Sequence, residues 1–158
     1  MMSHGSPVCA PELAPDAYAR WRTSEIGAIT ERLEKQLILE LAGNVSNCTV
    51  LDVGCGDGEF TLELVKRHAI VTGVDASPAM IDAARTRAEQ QGANIVFRIA
   101  LAQQLPFPAE QFDIATAITI LCFVEDPAPV FREIARVLRP GGRLVIGELG
   151  KWSPWAVG

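Results

Sequence analysis

Histidine is nearly missing from this sequence. Only His4 and His68 occur in 158 residues, which argues against a catalytic dyad or a metal centre built on imidazoles. His4 lies among N-terminal prolines, and His68 closes an amphipathic segment, where a cation suits the helix dipole. The four cysteines, Cys9, Cys48, Cys55 and Cys122, are scattered and form no CxxC pair, which argues against a zinc framework or a disulfide scaffold. No apolar run approaches the ~20 residues that a membrane span needs. The first fifteen residues carry Pro7, Pro11 and Pro15 but no apolar signal-peptide core. The stretch 1–17 therefore reads as a flexible leader on a cytoplasmic protein. Basic charge is short as well: 14 Lys and Arg face 19 Asp and Glu, for a net charge of −5. That weighs against a nucleic acid as the main partner, because phosphate binding is driven by Lys and Arg.

What is present suits one globular domain. Hydrophobic residues make up 49% and charged residues 21%, and the length fits a single core. Apolar positions Ile26, Ile29, Leu33, Leu37 and Leu41 recur at helical spacing over 23–41, with Gly43 and Asn44 as the stop. A short strand, Thr49 to Gly54, runs into a glycine-rich turn. Glu59 to His68 reads as a helix with Phe60, Leu62, Leu64 and Val65 turned inward. Ala69 to Asp75 is a second strand. Ser77 and Pro78 then start a helix as N-cap and first residue, which runs to about Gln91. Strands are expected over Asn94 to Ala100 and Phe112 to Ile120. Between them, Pro106 and Pro108 mark a loop. Asp126-Pro127 opens another helix by the same cap logic, the Arg139-Pro-Gly-Gly142 turn ends it, and Arg143 to Leu149 is a fifth strand. Alternating strands and helices imply βαβ units and a parallel sheet covered on both faces.

The chemistry gathers at Asp52-Val-Gly54-Cys-Gly56-Asp-Gly58. Glycines let the chain turn sharply and let a ligand approach without a Cβ in the way, and the turn feeds a helix N-terminus. In open α/β sheets this is where ligands bind. The spacing differs from the dinucleotide fingerprint GxGxxG, because Glu59 stands where its third glycine belongs, and the Lys-Ser/Thr pair of a P-loop is missing. Asp57 and Glu59 would oppose a pyrophosphate. A ligand without phosphate tolerates them, and S-adenosylmethionine is such a ligand. Asp75 ends the second strand about twenty residues on, where a carboxylate can hold ribose hydroxyls; a capping role for it stays open. For Asp52, pairing with nearby backbone N–H groups is the stronger alternative.

These segments together resemble the class I S-adenosylmethionine-dependent methyltransferases, of the group that includes ubiquinone/menaquinone-biosynthesis methyltransferases. Leu51 to Gly58 is similar to the family's first motif. Val71 to Pro78 resembles its second strand with the acidic ribose ligand. Leu105-Pro-Phe-Pro108 with Phe112-Asp113 resembles the approach to the fourth strand, and Arg136 to Val145 the turn before the fifth. The resemblance covers about Tyr18 to Leu149. It implies a Rossmann-like α/β fold, doubly wound and mostly parallel, with strand order 3-2-1-4-5, over a domain spanning 18–150 with a tail at 151–158. It also implies S-adenosylmethionine as cofactor and S-adenosylhomocysteine as product. Gly54, Cys55 and Gly56 would line the methionine part, Asp52 and Leu101 would count among the cofactor-binding residues, and Asp75 would hold both ribose hydroxyls. Ala76 and Met80 would lie near the adenine, with Met80 alternatively plain core. Ala102 would offer its N–H to the base. Tyr18 and Trp21 match an aromatic segment that closes over the cofactor in some relatives, or else staple the leader to the domain.

Two departures from the family pattern stand out. Leu101 replaces the Asp that accepts from the adenine amine, at a cost of ~1 kcal/mol unless Gln103 or Gln104 supplies a carbonyl. The antiparallel strands that usually follow the fifth strand are missing. The expectation is then a fragment, or an open edge covered by another chain, for instance in a homodimer, with Trp152 and Trp155 as anchors. No general base stands out: Asp126 reads as a cap and Glu125 as a solvated charge. Thr119 to Val124 lacks the Asn-Pro-Pro-Tyr type motif of enzymes that methylate amino groups. With the acidic balance, this points to a small, rather apolar methyl acceptor. Two other classes stay open: a catalytically impaired or truncated S-adenosylmethionine-binding module, and an NAD-dependent oxidoreductase.

Overall fold

The computed structural model describes residues 24–148. The elements are α1 (Glu25–Ala42), β1 (Thr49–Val53), α2 (Glu59–Lys66), β2 (Ile70–Asp75), α3 (Pro78–Gln90), β3 (Val96–Ile99), β4 (Phe112–Ile118), a 3-10 turn (Leu121–Phe123), α4 (Ala128–Val137) and β5 (Leu138–Gly147). The strands form one sheet in the order β3-β2-β1-β4-β5, and every pairing is parallel. This is the Rossmann-like arrangement that the motifs imply.

The period of two in each strand divides the core into two layers. On β1, Val50 joins Ile38, Leu39, Ala42, Leu64, Val71, Ile114 and Val145 beneath α1 and α2. Leu51 and Val53 face the other way, onto Val130, Ile134 and Val137 of α4. Phe107 and Phe112 close that layer edge to face, with ring centroids 5.1 Å apart. Ile81, Ala84 and Ala88 seat α3 on Phe97 and Cys55.

Helix starts follow the capping residues. The Ser24 side chain accepts from Gly27 N, and the Ser77 hydroxyl accepts from Met80 N at 3.4 Å ahead of Pro78. At α4 the cap position falls on Pro127 rather than Asp126. Asp126 instead accepts from Ala128 N at 3.0 Å, and the cap falls one residue later than the sequence pattern places it.

Three strand expectations shift. β3 keeps only Val96–Ile99. β4 stops at Ile118, because Thr119 turns left-handed at φ 52°. β5 begins at Leu138, directly after α4, so the Pro140-Gly-Gly142 stretch lies inside the strand. The register jumps there from Phe112↔Leu138 to Ile114↔Arg143. Gly141 supplies φ 78°, and a Cβ at Gly142 would stand 2.8 Å from the Arg139 carbonyl oxygen. This break is possible because glycine bears no Cβ.

The main correction concerns α1. The sequence marks Ile29, Leu33, Leu37 and Leu41 as one apolar face, but these four are between 43% and 61% exposed. Ile38, Leu39 and Ala42 meet the sheet instead. Periodicity identifies a face but does not say which of two apolar faces docks. The docking face is set by close approach: a Cβ at Gly147 would lie 2.8 Å from Ile38 Cδ1. Urea denaturation is therefore expected to separate the two faces. Leu37→Ala should change stability by no more than about 0.5 kcal/mol, whereas Ile38→Ala, on the face that meets the sheet, should cost about 2–5 kcal/mol.

Candidate cofactor site at the carboxyl ends of the strands

The turn after β1 is fixed by β2. Gly54 N and Cys55 N both donate to the Val74 carbonyl, at 2.8 and 2.9 Å. This bends the chain back over the sheet, with Gly54 at φ 72° and Gly56 at φ 53°. A Cβ at Gly54 would sit 2.6 Å from Ile120 Cδ1, so that glycine is demanded by packing. A Cβ at Gly56 would meet nothing within 4 Å. The backbone at Gly56 therefore borders open space, as a cradle for a ligand must.

Asp75 connects this cradle to the end of β2. Its Oδ2 accepts from Gly56 N at 2.9 Å and its Oδ1 from Ser77 N at 2.9 Å. Each oxygen keeps a further lone pair, so the carboxylate can still accept two hydroxyl donors. The capping and ligand-holding readings of Asp75 are thus compatible. Around it, Ala76 is exposed, Met80 is 46% and Leu101 56% exposed, and Ala102 is buried. Met80 is consequently not a core residue. The Leu101 loop is tied to the site by the bond from Ala100 N to the Asp75 carbonyl, 3.0 Å.

Asp52 occupies a different environment. It is 2% exposed, and its two oxygens accept from the Thr61 hydroxyl at 2.6 Å and the Thr116 hydroxyl at 2.8 Å. It pairs with hydroxyls rather than with backbone N–H groups, and it joins β1, α2 and β4 beneath the site. Burial raises its carboxyl above the ordinary range, against the lowering effect of the two threonine bonds. Cys55 is buried as well; desolvation and the nearby Asp52 and Asp75 carboxylates push its thiol far up, which keeps it protonated and removes it as a nucleophile.

Two further side-chain clusters hold the frame. Arg87 donates to the Asp57 carboxylate at 2.6 Å and to its carbonyl at 3.0 Å, anchoring the glycine turn to α3. Arg136 of α4 donates to the carbonyls of Phe107 and Leu105, at 2.7 and 3.0 Å, while Glu133 accepts from Leu105 N at 2.7 Å. The Arg136 guanidinium and that N–H hold the Glu133 carboxyl down at about 2. The Leu105-Pro-Phe-Pro loop is fixed by these contacts. Glu59, at the position of the fingerprint's third glycine, pairs with Lys35 at 2.6 Å.

The structure thus brings Gly54, Cys55, Gly56, Asp75, Ala76, Met80, Leu101 and Ala102 to one end of the sheet and leaves Asp52 beneath it. Tyr18, Trp21, Trp152 and Trp155 lie outside the described residues. Sequence reasoning missed Thr61, Thr116, Ile120 and Glu148. None of these gave a signal: Glu148 falls inside the fifth strand expected from sequence, Arg143 to Leu149, whereas β5 ends at Gly147.

The Gly56 backbone, which borders open space, and an Asp75 carboxylate with lone pairs to spare lie together at one end of the sheet. The chain belongs to the methyltransferase-domain family, whose pattern matches residues 51–146, and S-adenosylmethionine is the cofactor of that family's site. It is similar to the ubiquinone biosynthesis O-methyltransferase of Coxiella burnetii, with 41% identity over 102 residues covering 65% of this chain and 44% of that enzyme. It is also similar to a solved S-adenosylmethionine-dependent methyltransferase from Mesorhizobium loti, with 30% identity and a TM-score of 0.64 over 70% of this chain and 50% of that one. The solved [4+2]-cyclase SpnF shares 32% identity with a TM-score of 0.73 over 80% of this chain and 47% of that one. The chain spans about half the length of the relatives it matches, 44% for the Coxiella enzyme.

The buried Asp52 carboxyl gives a pH test with a definite sign. Its value in the fold lies above the ordinary 3.8, so the folded state keeps a proton that the unfolded chain releases. The contribution of this group to stability is full below that ordinary value and is lost as pH rises through the raised one. Asp52→Asn is expected to flatten this slope in urea denaturation series run across that window.

Proposed function

We propose that this protein transfers a methyl group from S-adenosylmethionine to a small, rather apolar acceptor, at a hydroxyl oxygen. The observation that carries the reading is the pairing of Asp75 with Gly56. One carboxylate orders the glycine turn and keeps lone pairs for two ribose hydroxyls, beside a backbone that faces open space. Bound S-adenosylmethionine would supply a methyl on a cationic sulfur that departs as a neutral thioether, and the acceptor hydroxyl would give up its proton to water as its oxygen takes the methyl. The chain's own work is then alignment: the glycine turn takes the amino-acid end, Asp75 the ribose, and Ala76, Met80, Leu101 and Ala102 the base. Holding the reactants in line supplies much of the acceleration in such reactions.

A hydroxyl acceptor is favoured by the O-methyltransferase relatives, the Coxiella enzyme among them. A small acceptor fits the net charge of −5, which offers little to a polyanion. A cytoplasmic location goes with that chemistry. The cyclase neighbour supports a second reading: a fold of this kind can serve a reaction other than methyl transfer, since function resides in the site and not in the fold.

Isothermal titration with S-adenosylhomocysteine and NAD tests the assignment. Binding of the adenosyl compound without NAD is expected, and the reverse would return the chain to the oxidoreductases. Asp75→Asn should weaken S-adenosylhomocysteine at least tenfold, as loss of hydrogen bonds to a charged acceptor implies (roughly 1.5–3 kcal/mol). Gly56→Ala should cost the fold only about 1–2 kcal/mol, for the left-handed backbone, yet block the ligand. Thermal melting beside the titration separates the two effects.

A further inference from the structure

The exit of β4 is clamped from the side by the exit of β5. Glu148 Oε1 accepts from Ile120 N at 3.1 Å and from Leu121 N at 2.8 Å. The Gly147 carbonyl accepts from Thr119 N at 2.6 Å. Between these bonds Thr119 turns left-handed, at φ 52°. A β-branched residue is strained there and persists only where its surroundings over-determine it. The bond to Gly147 and the two to Glu148 supply that constraint. They reverse the chain so that the Ile120 side chain lies on Gly54, where a Cβ would come within 2.6 Å of it. At the far end of the 3-10 turn, Phe123 is 81% exposed.

We propose that Glu148 is a positioning residue for the site. It fixes the turn from Ile120 to Phe123, so that Ile120 closes against the Gly54 end of the glycine turn and Phe123 is presented on the acceptor side. This rests on reading the glycine turn as the seat of the cofactor's amino-acid end. One carboxylate oxygen has lone pairs for two donors, and the two N–H groups it takes are those a helical turn leaves without internal partners at its start. A cap that served stability alone would end its influence there. The contact of Ile120 with Gly54 carries it on to the cofactor turn.

The test uses the full chain and its Glu148→Ala and Glu148→Gln variants. Each is followed by amide NMR, by thermal melting and by titration with S-adenosylhomocysteine. Glu148→Ala is expected to move the amide resonances of Ile120, Leu121 and Gly54 and to weaken binding about fivefold or more. Glu148→Gln keeps an acceptor oxygen and should restore binding to within about twofold. An alanine variant with unchanged Gly54 resonance and unchanged affinity overturns the proposal, even if its melting temperature falls. So does a glutamine variant as weak as alanine. If the unaltered chain binds no S-adenosylhomocysteine, the cofactor reading fails by itself. The Gly54 resonance then still decides whether Glu148 acts on the turn.

Discussion

Asp75 accepts one hydrogen bond from Gly56 N and one from Ser77 N, and the geometry of the whole site depends on that pair. The first adds to the Gly54 and Cys55 bonds that hold the glycine turn over β2. The second adds to the Ser77 cap at the start of α3. The carboxylate can take this role because parallel pairing of β1 with β2 brings Val53 level with Val74. That register sets the turn after β1 beside the end of β2. The sheet therefore places the site, and the side chain at the end of β2 gives it its chemistry.

The support is layered beneath. Asp52 joins β1, α2 and β4 through Thr61 and Thr116, and holds the floor from which the glycine turn rises. A buried carboxyl without a cationic partner is costly when ionised, and its raised value is the consequence. Arg87 and Arg136 then fasten the flanking turn and loop to their helices. The frame is cross-linked by hydrogen bonds where the ligand would be aligned. Its exposed side chains, Met80, Leu101 and Phe123, border it.

Much of this was legible in the sequence, for physical reasons. The order of strands and helices followed from apolar runs alternating with capped segments, and Ser77-Pro78 placed the start of α3. The glycine spacing and the strand-end Asp75 pointed to the candidate site. What stayed hidden depended on contacts distant in sequence. The outward turn of Leu33, Leu37 and Leu41 is decided by Gly147 meeting Ile38. The inward place of Asp52 is decided by two threonines, one of them 64 positions away. The left-handed Thr119 follows from a bond to Gly147, which no local pattern announces.

A crystal structure of the chain with S-adenosylhomocysteine tests the central claim most directly. The account expects both ribose hydroxyls on the Asp75 carboxylate and the amino-acid end along Gly54 to Gly56. A ligand seated elsewhere, or a ribose held by another group while Asp75 stays bonded only to Gly56 and Ser77, would contradict it.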